Sequence, residues 1–230
     1  MQPRWKVIVV QSSNFTNRTV YDISILLGKE QIDAPFPGVS PFSRNEVFSM
    51  ENNDPCLLSN LALNCHAGTH IDVSSHFILG EKRIDDYPIQ KFILPAIVID
   101  IADEESIKPA ELSEVDINEG DALLFKTSNS RTGIARSGVP SDKWVYMSPE
   151  AADFCIEKKI SLIGIDYVAP EKPGATIEAA IIHQKLLAHH IMIMESIALD
   201  DVFPGKYTLF CLPLKIKGAE ASPVRAILIA

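Results

Sequence analysis

Four short apolar runs constrain this chain more than any other feature of its sequence. They are Ala96–Ile101 (AIVIDI), Ala122–Lys126 (ALLFK), Ser161–Ile165 (SLIGI) and Tyr207–Leu212 (YTLFCL). Each is rich in β-branched or aromatic residues and lacks clean alternation with polar ones, which predicts strands covered on both faces. Helical signals lie between them. Ser148-Pro149-Glu150 ahead of AADFCIEKK offers an N-cap hydroxyl, a proline where the missing N–H costs nothing, and an acidic side chain at the positive end of the helix dipole. Lys158 and Lys159 suit the opposite end, and a second helix is predicted over about 177–190. Strands and helices interleave without strict alternation, so the expected class is α/β with a mixed sheet. No repeat, low-complexity tract or Gly/Ser-rich linker divides residues 1–230, which predicts a single domain.

Trp5–Val10 is apolar with no small-residue cleavage site after it, so it predicts a strand rather than a secretory signal. The stretch 34–55 holds Pro35, Pro37, Pro41 and Pro55 among Phe36, Phe42 and Phe48. Proline fixes φ and removes a donor, so interrupted structure is expected there: either a lid carrying aromatic side chains or a long surface connection.

Charge narrows the function classes. The 21 basic against 30 acidic residues leave −9, a field that repels phosphate backbones and argues against nucleic-acid partners. No apolar run approaches the roughly 18 residues of a membrane span. Cys56, Cys65, Cys155 and Cys211 form no C-x-x-C pair, which suits reduced thiols in a soluble cytoplasmic protein.

Chemistry concentrates in Cys65–Phe77, C-H-A-G-T-H-I-D-V-S-S-H-F, which holds His66, His70, Asp72 and His76. Along one extended strand, His70 and His76 would lie roughly 20 Å apart. Along one helix, Asp72 would point nearly opposite to His66 and His70. A bend at Gly68, whose backbone tolerates conformations closed to other residues, would gather several of these side chains. Imidazoles and a carboxylate suit zinc, manganese and similar dications. A capped turn with partly exposed histidines is the other reading of the same spacing.

A second segment, Ala175–Leu199, places His183 inside an apolar helix and Glu195 directly after the apolar run Ile191–Met194. A carboxylate buried there costs several kcal/mol unless paired or metal-bound. An ordinary core histidine and a strand-end glutamate near solvent remain open alternatives. His189 and His190 show no partner pattern and are read as structural.

The motif His66-Ala-Gly-Thr-His70-Ile-Asp72-Val-Ser74-Ser-His76 resembles the H-x-G-T-H-x-D-x-P-x-H signature of the cyclase family, which includes bacterial kynurenine formamidase and isatin hydrolase. Weaker pieces follow in family order: Tyr21-Asp22-Ile23-Ser24, Gly164-Ile165-Asp166, His183-Gln184-Lys185-Leu186-Leu187, Leu212-Pro213-Leu214 and Ser222-Pro223-Val224-Arg225-Ala226. The resemblance implies a swivelling β/α/β fold, assembled as homodimers or homotetramers. It also implies two divalent metal ions, zinc or manganese. His66, His70 and Asp72 would hold one, Asp72 would bridge to a second held by His76 and Glu195, and His183 would be the general acid/base. One departure stands out. Ser74 occupies the place of the family's proline, which removes a constraint on the turn before His76.

The activity so implied is metal-dependent hydrolysis of a C–N bond in a small amide, with an aryl formamide of the N-formylkynurenine type as leading substrate. Metal lowers the pKa of water from about 16 toward 7, and an imidazole titrating near about 6.5 can pass a proton to the departing nitrogen. Ring opening of an isatin-like cyclic amide or a lactone would use the same parts. A metal-stapled oligomer without catalysis and a metal-free structural protein are rivals from other classes.

Overall fold

The apolar runs become neighbouring strands. The structure, a computed structural model, describes residues 18–32 and 38–230; the Trp5–Val10 run and Pro35, Phe36 and Pro37 lie outside the described residues. Before the site motif come β1 (Val20–Asp22), β2 (Ser43–Phe48) and β3 (Leu58–Ala62), and β4 (His70–Asp72) is part of it. The middle of the chain supplies β5 (Ile93–Asp100), β6 (Ser106–Ile107), β7 (Ala122–Lys126), β8 (Tyr146–Met147) and β9 (Leu162–Ile165). The last strands are β10 (Met192–Glu195), β11 (Gly205–Phe210), β12 (Ala221–Pro223) and β13 (Ile227–Ile229). Nine of them form one sheet in the order β1-β13-β11-β5-β7-β9-β10-β4-β12. The middle strands β5, β7, β9 and β10 run parallel. Those on either side pair antiparallel, so the sheet is mixed.

Alternation along the parallel strands explains their unbroken apolar character. Ala96 and Val98 face one core, with Leu124, Leu162, Met192 and Met194. Ile97 and Ile99 face another, with Leu123, Phe125, Ile163 and Ile193. Both faces of β5, β7 and β9 are covered, as three of the runs predicted. The fourth run differs, since β11 buries only the face carrying Leu209, with Cys211 just beyond it, while Leu212 is exposed. The first core is closed largely by residues of the same sheet, including Ile71, Leu209 and Leu228, so the sheet curls around it. The second is covered by helices.

Those helices are α1 (Pro109–Leu112), α2 (Ser128–Arg131), α3 (Pro149–Glu157) and α4 (Ile181–Ala188). The α3 start is as expected: Pro149 opens it, and the Ser148 hydroxyl accepts from the Ala151 amide at 3.1 Å. Ala151, Ala152 and Cys155 of α3 meet Ile182, Leu186 and Leu187 of α4 over the second core. The second helix is shorter than the expected 177–190. A 3₁₀ turn, Ile177–Ala179, ends at Ala180, whose ψ of 70° breaks the helical run before α4.

The proline-dense stretch differs from expectation in one respect. A regular strand, β2, fits between Pro41 and Pro55 and pairs with β3 in a separate ribbon. The prolines bound that strand instead of interrupting it. Among the described residues, no helix is long and apolar enough to cross a membrane.

Candidate metal centre

Strand register brings the two chemistry-bearing segments together. β4 lies between β10 and β12, and its pairing sets His70 opposite Glu195 and Asp72 opposite Ile193. Side chains alternate across a strand, so His70 and Asp72 share a face while Ile71 between them enters the first core. The chain reaches β4 through the bend foreseen at Gly68, whose φ is 64° and whose added Cβ would come within 2.5 Å of the Leu27 side chain. That bend turns His66 back over Asp72. Beyond β4, the 3₁₀ turn Ser74–His76 carries His76, and α4 presents His183 from the covering layer.

The donor atoms crowd together around Asp72. Its Oδ1 lies 2.9 Å from Nδ1 of His66 and 3.5 Å from Nε2 of His70. Its Oδ2 lies 3.6 Å from Nε2 of His183 and 3.9 Å from Nε2 of His76. Glu195 closes the far side, 3.3 Å from Nε2 of His70 and 3.1 Å from Nε2 of His183. All six residues expected from the sequence therefore meet in one site.

The donor set fits a cation. His70 Nε2, both oxygens of Asp72 and Oε1 of Glu195 are buried without a hydrogen-bond partner. Such atoms cost free energy unless something satisfies them. Two groups of donors lie within 4.8 Å of one another, His66–Asp72–His76 and His70–Asp72–Glu195. Asp72 belongs to both, as a bridging carboxylate would. This grouping differs from the ligand division implied by the resemblance, because β10 sets Glu195 beside His70 and the Gly68 bend sets His66 near His76.

Outer partners fix three of the imidazoles. The His70 Nδ1–H donates to the Gly68 carbonyl at 2.8 Å, which leaves Nε2 as the free lone pair. The second nitrogen of His66 lies 3.3 Å from Glu220. Oε1 of Glu171 accepts from the His183 backbone amide at 2.9 Å and from its Nδ1–H at 3.0 Å. Metal-ligating histidines commonly have a carboxylate or carbonyl in this position. Among the described residues, His76 has no such partner.

Four carboxylates among four imidazoles make the site strongly attractive to positive charge. Burial works to lower His66, yet Asp72 above all, with Glu220 and Glu195, raises it to about 10. His183 is likewise held well above its usual value, despite burial, by Asp72, Glu171 and Glu195. Burial and the nearby His66 and His183 push His76 down to about 4, against the pull of Asp72. Hydrogen bonding to His66 draws Glu220 down to about 2.

Glu171 and Glu220 escaped the sequence reading. Each sits in a polar, loop-like stretch, where an acidic residue ordinarily signals only a solvated surface. His189 is structural, its Nδ1 bonded to the Lys185 carbonyl, whereas His190 contacts Ser74. Asp166 is also structural. It is buried and accepts from the Thr127 and Ser130 amides, the Thr127 hydroxyl and the Asn129 amide group. A cavity of about 540 Å³ beside Trp144, Tyr146 and Lys172 contains none of the six site residues among its lining. Trp144 reaches toward the site only through its indole N–H, bonded to the Glu171 carbonyl.

The family model described as "Putative cyclase" matches residues 19–172. Kynurenine formamidase of Bacillus mycoides is 34% identical over 195 residues, covering 85% of this chain and 90% of that one. A solved structure described as a potential metal-dependent hydrolase with cyclase activity superposes with a TM-score of 0.76 at 26% identity, covering 92% of this chain and 98% of the other. Isatin hydrolase A from Labrenzia aggregata shares the fold, with a TM-score of 0.80 at 23% identity and coverage of 93% and 94%.

Proposed function

The chain belongs to the cyclase family, and on that premise we propose that it is a metal-dependent hydrolase cleaving the C–N bond of a small amide, with an aryl formamide of the N-formylkynurenine type as substrate. The observation that carries the reading is the set of buried, unpartnered donor atoms on His70, Asp72 and Glu195. Likeness to kynurenine formamidase over 85% of the chain favours a formamide over a cyclic amide. Two divalent ions fit the shared carboxylate of Asp72, and a thiolate-free N/O donor set suits zinc or manganese. A bound dication supplies a nucleophile at neutral pH and polarises the amide carbonyl.

We assign the imidazoles from their surroundings. His66 and His70 would hold one ion with Asp72, and His183 and Glu195 would hold the other with Asp72. His76 is the general acid/base. The resemblance implied the opposite parts for His76 and His183, and distance alone would admit His76 as a ligand. Two observations support the exchange. His183 has its Nδ1–H engaged by Glu171, with Nε2 facing Glu195 and Asp72. Its side chain is 8% exposed, against 20% for His76, and a proton carrier needs access to substrate and solvent. In the reaction, water adds its oxygen to the formyl carbon while His76 takes one of the water's protons. The C–N bond breaks, His76 passes that proton to the departing nitrogen, and the remaining acid proton is released from the formic acid. The products are formate and an arylamine.

Incubation of the protein with N-formylkynurenine, isatin and an aryl lactone tests this reading. Hydrolysis of the formamide is expected, lost on chelation and restored by zinc or manganese. Turnover of isatin alone would move the substrate to cyclic amides. No hydrolysis by protein carrying stoichiometric metal would overturn the enzymatic reading.

The same proposal includes a soluble, cytoplasmic homodimer or homotetramer. The β2–β3 ribbon exposes Val47, Phe48, Leu58 and Leu61. An isolated two-stranded ribbon is marginal in water, and clustered exposed apolar residues mark contact surfaces. Light scattering should return a multiple of 25.4 kDa, and a monomer would remove the assembly. Four free cysteines among the described residues suit a reducing compartment.

A further inference from the structure

The turn that carries His76 is gripped from outside the site. Ser74, its first residue, is 1% exposed, and its hydroxyl lies 3.0 Å from Nδ1 of His190 and 3.2 Å from the Tyr87 hydroxyl. His190 follows α4 with a φ of 58°, in the left-handed region that few residues other than glycine adopt. Its ring also lies 3.7 Å from Glu81. The helix presenting His183 and the turn presenting His76 are thus joined, outside the metal centre, through the Ser74 side chain. Backbone bonds from His76 to Val73 and from Ile78 to Ser74, both 2.9 Å, shape the turn but do not tie it to α4. Proline at position 74 would stiffen the backbone by locking φ; serine does not.

We propose that Ser74 is a positioning residue whose hydroxyl, held by His190 and Tyr87, fixes the Ser74–His76 turn and so places the His76 imidazole. This deepens the reading of His76 as the proton carrier and rests on it. Misplacement of a reacting group by about 1 Å costs on the order of 10²-fold in rate, so the hydroxyl matters without touching substrate.

The test combines kinetics with a measurement that needs no turnover. Ser74→Ala should lower kcat for the aryl formamide by roughly 10- to 100-fold, with KM and metal equivalents per chain unchanged. Ser74→Thr, which keeps the hydroxyl, should recover most of the loss. His190→Ala should lower kcat, and the Ser74→Ala/His190→Ala double variant should fall no lower than Ser74→Ala, because both remove one interaction. Ser74→Pro should make His190 dispensable. The extended backbone of Val73, φ −119° and ψ 171°, is the conformation a residue before proline adopts. In metal-free, ¹⁵N-histidine-labelled protein, the His76 ring resonance should move in Ser74→Ala and return in Ser74→Pro/His190→Ala. A changed melting temperature with kcat and the His76 resonance unmoved would make Ser74 merely structural, and loss of metal from Ser74→Ala would tie it to the ligands instead. Both outcomes overturn the proposal. If the wild-type protein fails to hydrolyse the formamide, the reading of His76 falls, and the resonance still decides whether Ser74 places the imidazole.

Discussion

Asp72→Ala is expected to empty both metal positions and to abolish hydrolysis in one step. Both oxygens of Asp72 are buried without a hydrogen-bond partner, and nitrogens of His66, His70, His183 and His76 approach them between 2.9 and 3.9 Å. Among the described residues, no neighbouring carboxylate replaces it. Glu195 faces His70 and His183 but makes no close approach to His66 or His76, and Glu220 reaches only the outer nitrogen of His66. The variant therefore leaves four imidazoles gathered without the anion at their centre. With the ions gone, turnover should fall by roughly 10⁴-fold or more, equivalent to about 5 kcal/mol of transition-state stabilisation. Metal equivalents per chain, measured beside wild type at matched free metal, are the primary readout. Circular dichroism confirms the fold, and Asp72→Asn, which preserves shape, guards against a collapsed site. Near-full occupancy in Asp72→Ala would remove the bridging role.

How far the sequence discloses this site follows from where each contact originates. His66, His70, Asp72 and His76 are legible because one short stretch holds them all, and Gly68 marks the bend that neither a strand nor a helix could replace. The central strands are legible because burial on both faces leaves unbroken apolar runs. β7 occupies Ala122–Lys126 as read, while β5 begins at Ile93, ahead of the Ala96 start read from the run. The meeting of Glu195 with His70 is of another kind. It depends on the β10–β4 register, a pairing of distant segments that no local spacing encodes, and a shift of one residue would turn Glu195 to the other face. Glu171 and Glu220 are silent for a related reason. Their work is to hold a histidine brought from elsewhere in the chain, and only the folded chain supplies that partner. Ser74 lies between these cases. Its difference from the family pattern is visible in the motif, but its replacement tie, the side chain of His190, appears only once α4 packs beside the turn.

The second large effect separates ligand from proton carrier, and His183 and His76 give opposite results. His183→Ala should retain about one metal equivalent per chain, because its Nε2 faces Asp72 and Glu195 within a position that its loss leaves incomplete. The Glu171 carboxylate would then be left without the imidazole it holds, buried and accepting only from the backbone amide of residue 183, which deepens the loss. His76→Ala should keep both ions. The imidazole is the more exposed of the two and, among the described residues, has no outer partner. Its removal takes away only the proton for the departing nitrogen, so kcat for the formamide should fall by roughly 10²–10⁴-fold. An aryl ester tests the point further. A phenolate leaves with little protonation, so the His76→Ala deficit should shrink on the ester, whereas a variant short of one ion should be impaired on both substrates. Two full metal equivalents in His183→Ala, with loss of an ion in His76→Ala, would restore the roles that the motif's resemblance first implied.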